Sequence, residues 1–312
     1  MDRAVGRRSD TAGVDPAAAL AEVGLAGAGF AAPIDGGAGV GFRAAEPVTP
    51  ASVMKVQVAL TVENAIATGA LDGTARRRMG PDRRTAGPVG ISLMRDEVSM
   101  SVRDLVVAML TISDNVAADE LIDVVGLDQI NETTRALGMV RTLITSNLRD
   151  MLDALARDAG FPTYAALAAH DCATDGPPSD EEVRHRLASG ATLDPTRGTR
   201  TTAAETVALL RAIWSDRAGP PEACAAVRSA MARQLTRHRI ASAFGPKVSV
   251  AAKSGGLMGV VRNEAAVVTF ADGSAYAVAV HTRAHSETAP DPRLSDDAIG
   301  AAARALIDEL RT

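Results

Sequence analysis

The chain contains very little lysine. Of its 33 lysine and arginine residues only three are lysine, namely Lys55, Lys247 and Lys253. Arginine remains protonated at any ordinary pH, whereas a lysine that is desolvated or close to another cation can lose its proton. A lysine kept in a chain that otherwise uses arginine is therefore a candidate base, although chance or packing explains a single case equally well.

Three further scarcities exclude classes of function. Aromatic residues make up 3% of the sequence, with a single Trp, which argues against a carbohydrate-stacking site. The formal net charge of −5 and the lack of a basic block do not favour binding to nucleic acid or to a membrane surface. The two cysteines, Cys172 and Cys224, have no metal-type spacing and are predicted to be free thiols.

Long apolar runs are also missing. The N-terminal segment has basic residues but no apolar run long enough for a secretory signal, and no stretch of about 20 apolar residues follows. The expectation is a cytoplasmic protein. With 312 residues, 46% of them hydrophobic and 23% charged, the composition is typical of a soluble globular protein with one large domain or two lobes.

Hydrophobic spacing changes along the chain from strand-like to helical and back again. Near the N-terminus a short helix is predicted, followed by two weak strands, at residues 15–25, 28–35 and 39–46. Helical spacing dominates from Pro50 to about residue 235. The predicted helices lie between Pro50 and Gly69 and at 101–115, 117–125, 127–137, 148–169, 199–214 (with Thr202 as N-cap) and 221–235.

The C-terminal part is predicted to contain three strands and a closing helix. The β-prone runs lie at 247–255, 263–271 and 275–283, and Asp272-Gly273 is a hairpin signal between the last two. The helix at 295–312 is predicted to begin with Ser295 as its cap.

Strands at both ends of the chain with helices between them predict an α+β fold. The simplest assembly is an antiparallel sheet built from both termini, covered by the terminal helices. Residues 1–48 and 220–312 would form this α/β lobe, and residues 49–219 an inserted helical lobe. A functional site is expected in the cleft between the lobes.

The first candidate site is the S-x-x-K stretch formed by Ser52, Val53, Met54 and Lys55. Residues three apart lie on one face of a helix, so Ser52 and Lys55 would be neighbours at a helix N-terminus. A neutral lysine there can accept the proton of the serine, and free backbone N–H groups can stabilise an oxyanion. An isolated S-x-x-K is nevertheless a weak signal.

Two more motifs follow in the chain. Ser113-Asp114-Asn115 ends a predicted helix, where such residues are common simply as helix-ending groups. Lys253-Ser254-Gly255-Gly256 ends a predicted strand, where it can pair with a substrate backbone and bind a carboxylate, or form an ordinary turn.

The order S-x-x-K, S-D-N, K-[ST]-G resembles class A β-lactamases and penicillin-binding proteins. Two of the three lysines occupy its lysine positions, and each motif lies in the required helix or strand context. The stretches PASVMKVQVAL, MLTISDNVAADELIDVVG and KSGGLMGVVRNEAAVVTFADGSAYAVAVHTR extend the resemblance over about 220 residues. A β-lactamase/transpeptidase-like fold with two lobes is therefore expected.

The resemblance implies a role for each motif residue. Ser52 would be the nucleophile, Lys55 its base, and Ser113 the group that passes a proton to the leaving group. The N–H groups of Ser52 and Gly256 would form the oxyanion hole. Substrate binding would fall to Asn115, Lys253, Ser254 and Gly255, with a small-molecule amide, lactam or ester as substrate and no cofactor.

One part of the family pattern is missing. Class A penicillinases carry an E-x-x-L-N segment whose Glu activates the water that hydrolyses the acyl-enzyme, and the interval 139–201 contains none. Glu181 and Glu182 are possible displaced equivalents, although a solvated polar loop explains them better. Fast deacylation is therefore in doubt, while acylation is not.

Alternative functions remain open at this stage. The acyl-enzyme could pass its acyl group to an amine or alcohol, which would make the protein an acyltransferase. It could also form from an ester substrate, which would make the protein an esterase; either activity would suit a cytoplasmic biosynthetic pathway. A non-catalytic ligand-binding protein could keep the pocket without the chemistry. A metal site at His238, His281 and His285 is not favoured, because no carboxylate or cysteine cluster accompanies them.

Overall fold

The computed structural model describes residues 15–170, 178–285 and 290–312; Cys172 lies outside them. The strands of these residues are β1 (Leu25–Pro33), β2 (Val40–Phe42), β3 (Arg76–Met79), β4 (Val98–Ser101), β5 (Ser249–Leu257), β6 (Val261–Thr269) and β7 (Ala275–Ala284). The α-helices are α1 (Pro16–Glu22), α2 (Lys55–Ala67), α3 (Val102–Thr111), α4 (Asn115–Val125), α5 (Leu127–Ala136), α6 (Leu148–Asp158), α7 (Tyr164–His170), α8 (Asp180–Ser189), α9 (Ala203–Trp214), α10 (Pro221–Met231) and α11 (Pro292–Arg311).

Five strands form one antiparallel sheet in the order β2-β1-β7-β6-β5. Strand β1 pairs along its whole length with β7, from Leu25 opposite Ala284 to Pro33 opposite Tyr276. The sheet is therefore built from both ends of the chain, as predicted. Strand β5, which carries Lys253 and Ser254, is an edge strand.

The two faces of the sheet belong to two hydrophobic cores. Alternation along β7 sends Val278 and Val280 to the core shared with α1 and α11. Ala277 and Ala279 face the other way, into the larger core that includes the helices inserted between β2 and β5. This second core joins the sheet to the helical region, and the candidate site lies where they meet.

The local sequence signals account for most helix ends. Thr202 accepts a hydrogen bond from Glu205 N at the start of α9, and Ser101 accepts one from Asp104 N at the start of α3. The predicted cap Ser295 is wrong, because α11 begins at Pro292 with Asp291 as N-cap. Proline at the first helical position and an acidic residue before it start the helix earlier than the serine would.

The α+β fold is confirmed, as is the hairpin at Asp272-Gly273, where Gly273 has a φ of +87°. The division at residues 48 and 219 stays a prediction; α10 packs against α2, whereas α9 packs against β1 and β7. Within the part of the chain that the structure describes, no helix combines the length and the apolar character needed to cross a membrane.

Candidate active site

Ser52 lies in a short 3-10 helix, Ala51–Met54, that leads directly into α2. The predicted helix N-terminus is therefore a tighter turn, with Lys55 as the first residue of the α-helix. Ala51 has a φ of +49°, a region that costs free energy for a residue with a side chain. Such a conformation persists only where surrounding contacts hold it, which marks this turn as a constrained site.

The turn is held by the sheet. Asn263 on β6 donates from Nδ2 to the carbonyls of Thr49 and Pro50, at 2.9 and 3.0 Å, and accepts from Thr282 N through Oδ1. Gly255 on β5 packs against the same turn, and a Cβ at this position would stand 2.8 Å from the carbonyl oxygen of Pro50. Glycine is needed here because the strand and the turn approach so closely.

Lys55 is completely buried and has three polar neighbours. Its Nζ lies 2.6 Å from the carbonyl oxygen of Ser113, 2.7 Å from Oδ1 of Asn115 and 3.3 Å from Oγ of Ser113. Burial lowers the pKa of Lys55 to about 7, against the opposing effect of the Asp114 and Asp119 carboxylates. A substantial fraction of Lys55 is therefore neutral near pH 7 and able to accept a proton.

Lys253 reaches the same serine from the opposite side. Its Nζ lies 3.0 Å from Oγ of Ser113 and 2.7 Å from the carbonyl oxygen of Ser254, and the side chain is completely buried. Burial, followed by the charge of Lys55, lowers the pKa of Lys253 well below its ordinary value. The hydroxyl of Ser113 thus bridges two desolvated amines, whereas the third lysine, Lys247, is exposed.

The SDN segment reaches this position through a strained residue. Ser113 has a φ of +63° and precedes α4, whose first residue is Asn115. Asp114 is buried and accepts hydrogen bonds from Ile91 N at 2.7 Å and Ala117 N at 3.0 Å. The aspartate therefore fixes the segment, while the serine and asparagine side chains meet Lys55.

Strand β5 is supported from behind by a buried polar chain. The backbone N–H of Ser254 donates to Oε1 of Gln234, whose Nε2 donates to Oε1 of Glu264 at 3.1 Å. Glu264 is fully buried, pairs with Ser254 across the sheet and accepts from Ile240 N at 2.7 Å. Burial raises the pKa of Glu264. These contacts fix the position of the strand end that carries Ser254.

One cavity, of about 360 Å³, joins the three motifs. Its polar lining consists of Ser52, Ser113, Asn115, Thr236, Arg239, Ser254, Gly255 and Gly256. Lys55 and Lys253 lie behind this lining and touch it through Ser113. The structure thus brings together the predicted nucleophile, base, proton-transfer serine and substrate-binding residues.

Arg239 is the main site residue that the sequence motifs do not reveal. It donates from Nη1 to the carbonyls of Gly255 and Asn263, at 3.0 and 2.6 Å, and from Nε to Asp296 at 2.8 Å. It also lines the cavity, where its positive charge can attract an anion. A lone arginine in an arginine-rich chain gives no sequence signal.

The predicted acids Glu181 and Glu182 are not brought to the cavity. Both are exposed on the first turn of α8, and Glu182 forms a capping box with Ser179. The hydrogen bond from Ser179 N lowers the pKa of Glu182. Acidic side chains are favoured in the first turn of a helix, and this position in α8 accounts for both glutamates.

An apolar wall occupies the side of the cavity formed by the 139–201 interval. Leu148, Met151 and Leu152 on α6 and Tyr164 on α7 line it. Of the residues that the structure describes, none of those lining this cavity is Asp or Glu.

Asp119 attaches this wall to the SDN helix. From α4, its carboxylate accepts hydrogen bonds from Leu148 N at 2.6 Å and Arg149 N at 3.0 Å, and from the hydroxyl of Thr85. Burial raises the pKa of Asp119. The start of α6 is therefore tied to the helix that begins with Asn115.

The histidines and the free cysteine lie apart from these motifs. His281 is buried on β7, 3.3 Å from the hydroxyl of Thr206, and His238 lies 3.2 Å from Asp296. Cys224 is buried in α10 and is a free thiol. In residues 15–170, 178–285 and 290–312, no three His, Cys, Asp or Glu side chains form a group suited to a metal ion.

Comparison with known proteins gives one consistent result. The model of the beta-lactamase enzyme family matches residues 18–310. The beta-lactamase regulatory protein BlaB of Streptomyces cacaoi is 31% identical over 306 residues, which cover 94% of this chain and 95% of that protein.

Solved structures show the same fold at lower identity. A beta-lactamase from Sphaerobacter thermophilus is 23% identical with a TM-score of 0.72, covering 95% of this chain and 98% of that one. PBP-A is 17% identical with a TM-score of 0.70, covering 94% and 96%. A mutant of PBP-A has been solved as an acyl-enzyme complex with penicillin G.

Proposed function

Because the chain belongs to the beta-lactamase enzyme family, we propose that it is a serine hydrolase that forms an acyl-enzyme through Ser52. The substrate is an amide, β-lactam or ester. The observation that carries this proposal is the Ser113 hydroxyl, which lies between Lys253 at 3.0 Å and Lys55 at 3.3 Å. Two buried amines on one hydroxyl provide a path for a proton.

The acylation step uses these groups in turn. Neutral Lys55 accepts the proton of Ser52, and the serine oxygen attacks the carbonyl carbon of the substrate. The N–H groups of Ser52 and Gly256 stabilise the oxyanion that forms. The carbonyl carbon then releases the leaving nitrogen or oxygen, which receives a proton through Ser113, while the new ester bond to Ser52 remains.

Binding of an anionic substrate is supported by the hydrogen-bond donors at the end of β5. Arg239 lines the cavity and Lys253 lies directly behind Ser254. A carboxylate on the leaving-group side would accept hydrogen bonds from the Ser254 hydroxyl and from Arg239. Asn115, held by Lys55, would position the amide on the acyl side.

Deacylation is expected to be slow. An activated water requires a base near the ester, and the described lining of the cavity contains no carboxylate. The α6 side chains that line the cavity are apolar and supply no base on that side. The acyl-enzyme would therefore persist.

The test is the intact mass of the protein after brief mixing with benzylpenicillin, with free drug measured alongside. We expect a stoichiometric adduct that is absent from the Ser52→Ala variant and present in Ser249→Ala, which changes an exposed serine at the start of β5. An adduct that survives in Ser52→Ala would refute the assignment.

A second candidate is a β-lactam sensor, favoured by the 31% identity to a beta-lactamase regulatory protein. In this function the stable acyl-enzyme is itself the signal, and turnover is unnecessary. Drug consumption well beyond one equivalent would favour the hydrolase. A single equivalent that remains bound for hours would favour the sensor.

A further inference from the structure

The cavity at Ser52 has two chemically different halves. The hydrogen-bonding groups Thr236, Arg239 and Ser254 lie together beside the end of β5, where Gln234 contacts the backbone of Ser254 and Thr236 and Arg239 donates to the carbonyl of Gly255. The remaining wall is largely apolar and comes from five separate segments. Its residues are Pro88, Val89, Ile112, Leu148, Met151, Leu152, Tyr164, Leu257 and Met258.

The proposed reaction assigns the polar half to the leaving group. In the proposed reaction the proton donor Ser113 faces the leaving atom, and Arg239 and Ser254, which line the cavity, would bind an anion on that side. The acyl part of the substrate extends from the same carbonyl in the other direction. It therefore meets the apolar half.

This half offers nothing to a charged acyl group. Among its described residues none is ionisable except Tyr164, whose hydroxyl lies 3.6 Å from Sδ of Met258. An ammonium or carboxylate placed there would lose hydration without gaining an oppositely charged partner, whereas each buried methylene gains transfer free energy. The wall thus selects by polarity.

We propose that Val89, Met258 and the α6 residues Leu148, Met151 and Leu152 form an acyl-group pocket that selects substrates with an apolar, uncharged acyl chain. This inference rests on the proposed function and adds its substrate class. A substrate of this class carries an apolar acyl chain on one side of the scissile bond and an anion on the other.

The test compares acylation rates, by intact mass, for five compounds that share the penicillin nucleus. 6-Aminopenicillanic acid has no acyl chain, and pentyl- and heptylpenicillin differ by two methylenes. Ampicillin supplies an apolar chain with an added ammonium, to be compared with benzylpenicillin as reference. We expect a gain of about three- to fourfold per methylene and a loss of about tenfold or more for the ammonium.

Two partly exposed positions allow the pocket to be changed without disturbing the core. Val89→Ser and Met258→Gln should reduce the heptyl-to-pentyl ratio toward one, and Met258→Leu should keep it. The matched control is Val107→Ser, because Val107 on α3 is 45% exposed against 37% for Val89 and does not line the cavity.

The outcomes separate the two proposals. Acylation at equal rates by all penicillins, or equal effects of Val89→Ser and Val107→Ser on the ratio, would overturn the acyl-group pocket and leave the acyl-enzyme mechanism standing. No adduct with any penicillin would overturn the proposed function and this inference together. A ratio that falls only in the pocket variants supports both.

Discussion

A Cβ atom on Gly255 would stand 3.0 Å from the backbone nitrogen of Ser52, so strand β5 and the nucleophile turn are in direct contact. This distance is shorter than an ordinary van der Waals contact. The neighbouring atoms belong to the backbone of the turn, so they cannot rotate away as a flexible side chain could. The position of the serine therefore depends on the absence of one methyl group.

The first prediction is that Gly255→Ala slows acylation of Ser52 by about tenfold or more, because misplacing reacting groups by a fraction of an ångström is costly. The measurement is the rate of adduct formation with benzylpenicillin. Gly80→Ala is the control, since Gly80 has φ −71° and ψ 155° and nothing lies within 4 Å of a Cβ there. Equal rates in the two variants would contradict the prediction.

The second prediction concerns the pH dependence of acylation. Burial lowers the pKa of Lys55 to about 7, and only the neutral amine accepts the proton of Ser52. The acylation rate should therefore rise with pH through about 7 and level off above it. Lys55→Arg should be inactive at every pH, because arginine cannot act as the base. Near-normal rates in that variant would exclude the base role.

The third prediction links Lys55 to stability. Its folded pKa of about 7 lies below its ordinary value of 10.5, so between these values the unfolded chain binds more protons. The free energy of unfolding of the native protein, relative to Lys55→Met, should rise across this window, by at most about 1.4 kcal/mol per pH unit. Below pH 7 the difference should become constant. Urea denaturation of both proteins at several pH values measures it, and a difference that falls with rising pH would refute the assignment.

The fourth prediction is a gain of function. Leu148→Glu places a carboxylate in the lining of the cavity that Ser52 also lines. We expect the benzylpenicillin adduct to decay at least about tenfold faster, because a positioned base activates water. Leu148→Gln has the same size without the charge and should not accelerate decay. Loss of the adduct at the same rate in both variants would show that altered packing, not the base, is responsible.

The fifth prediction tests the attachment of α6. Asp119→Ala leaves the N–H groups of Leu148 and Arg149 without their acceptor, at about 1–3 kcal/mol for the buried N–H of Leu148 and less for the part-buried N–H of Arg149. Hydrogen exchange should increase first at these two amides. Protection unchanged at both sites would show that Asp119 does not hold the helix.

The three motifs could be predicted from the sequence because their chemistry requires particular residue types at fixed local spacing. Because most basic residues of the chain are arginine, the lysines at positions 55 and 253 stand out in the sequence. Lys55 and Lys253 are both completely buried in the structure. Changes in the spacing of hydrophobic residues along the chain likewise predict the strands at both ends and the helices between them.

Other parts of the site were not predictable, because they depend on contacts between distant segments. Asn263 looks like an ordinary polar residue in a strand, yet it holds the carbonyls of Thr49 and Pro50. Arg239 becomes part of the cavity only when β5 and α11 are in place. The error at Ser295 has a local cause, since two competing caps lay within a few residues.

The pairing of β1 with β7 has a consequence for how the chain folds. Leu25 and Ala284 are far apart in the sequence, so this pairing forms only after β7 has been synthesised. Contacts so distant in sequence form slowly, whereas the helices between them depend on closer neighbours. During synthesis β1 therefore has β2 on one edge and an unpaired edge on the other. Until β7 is made, that edge is open to association with other molecules.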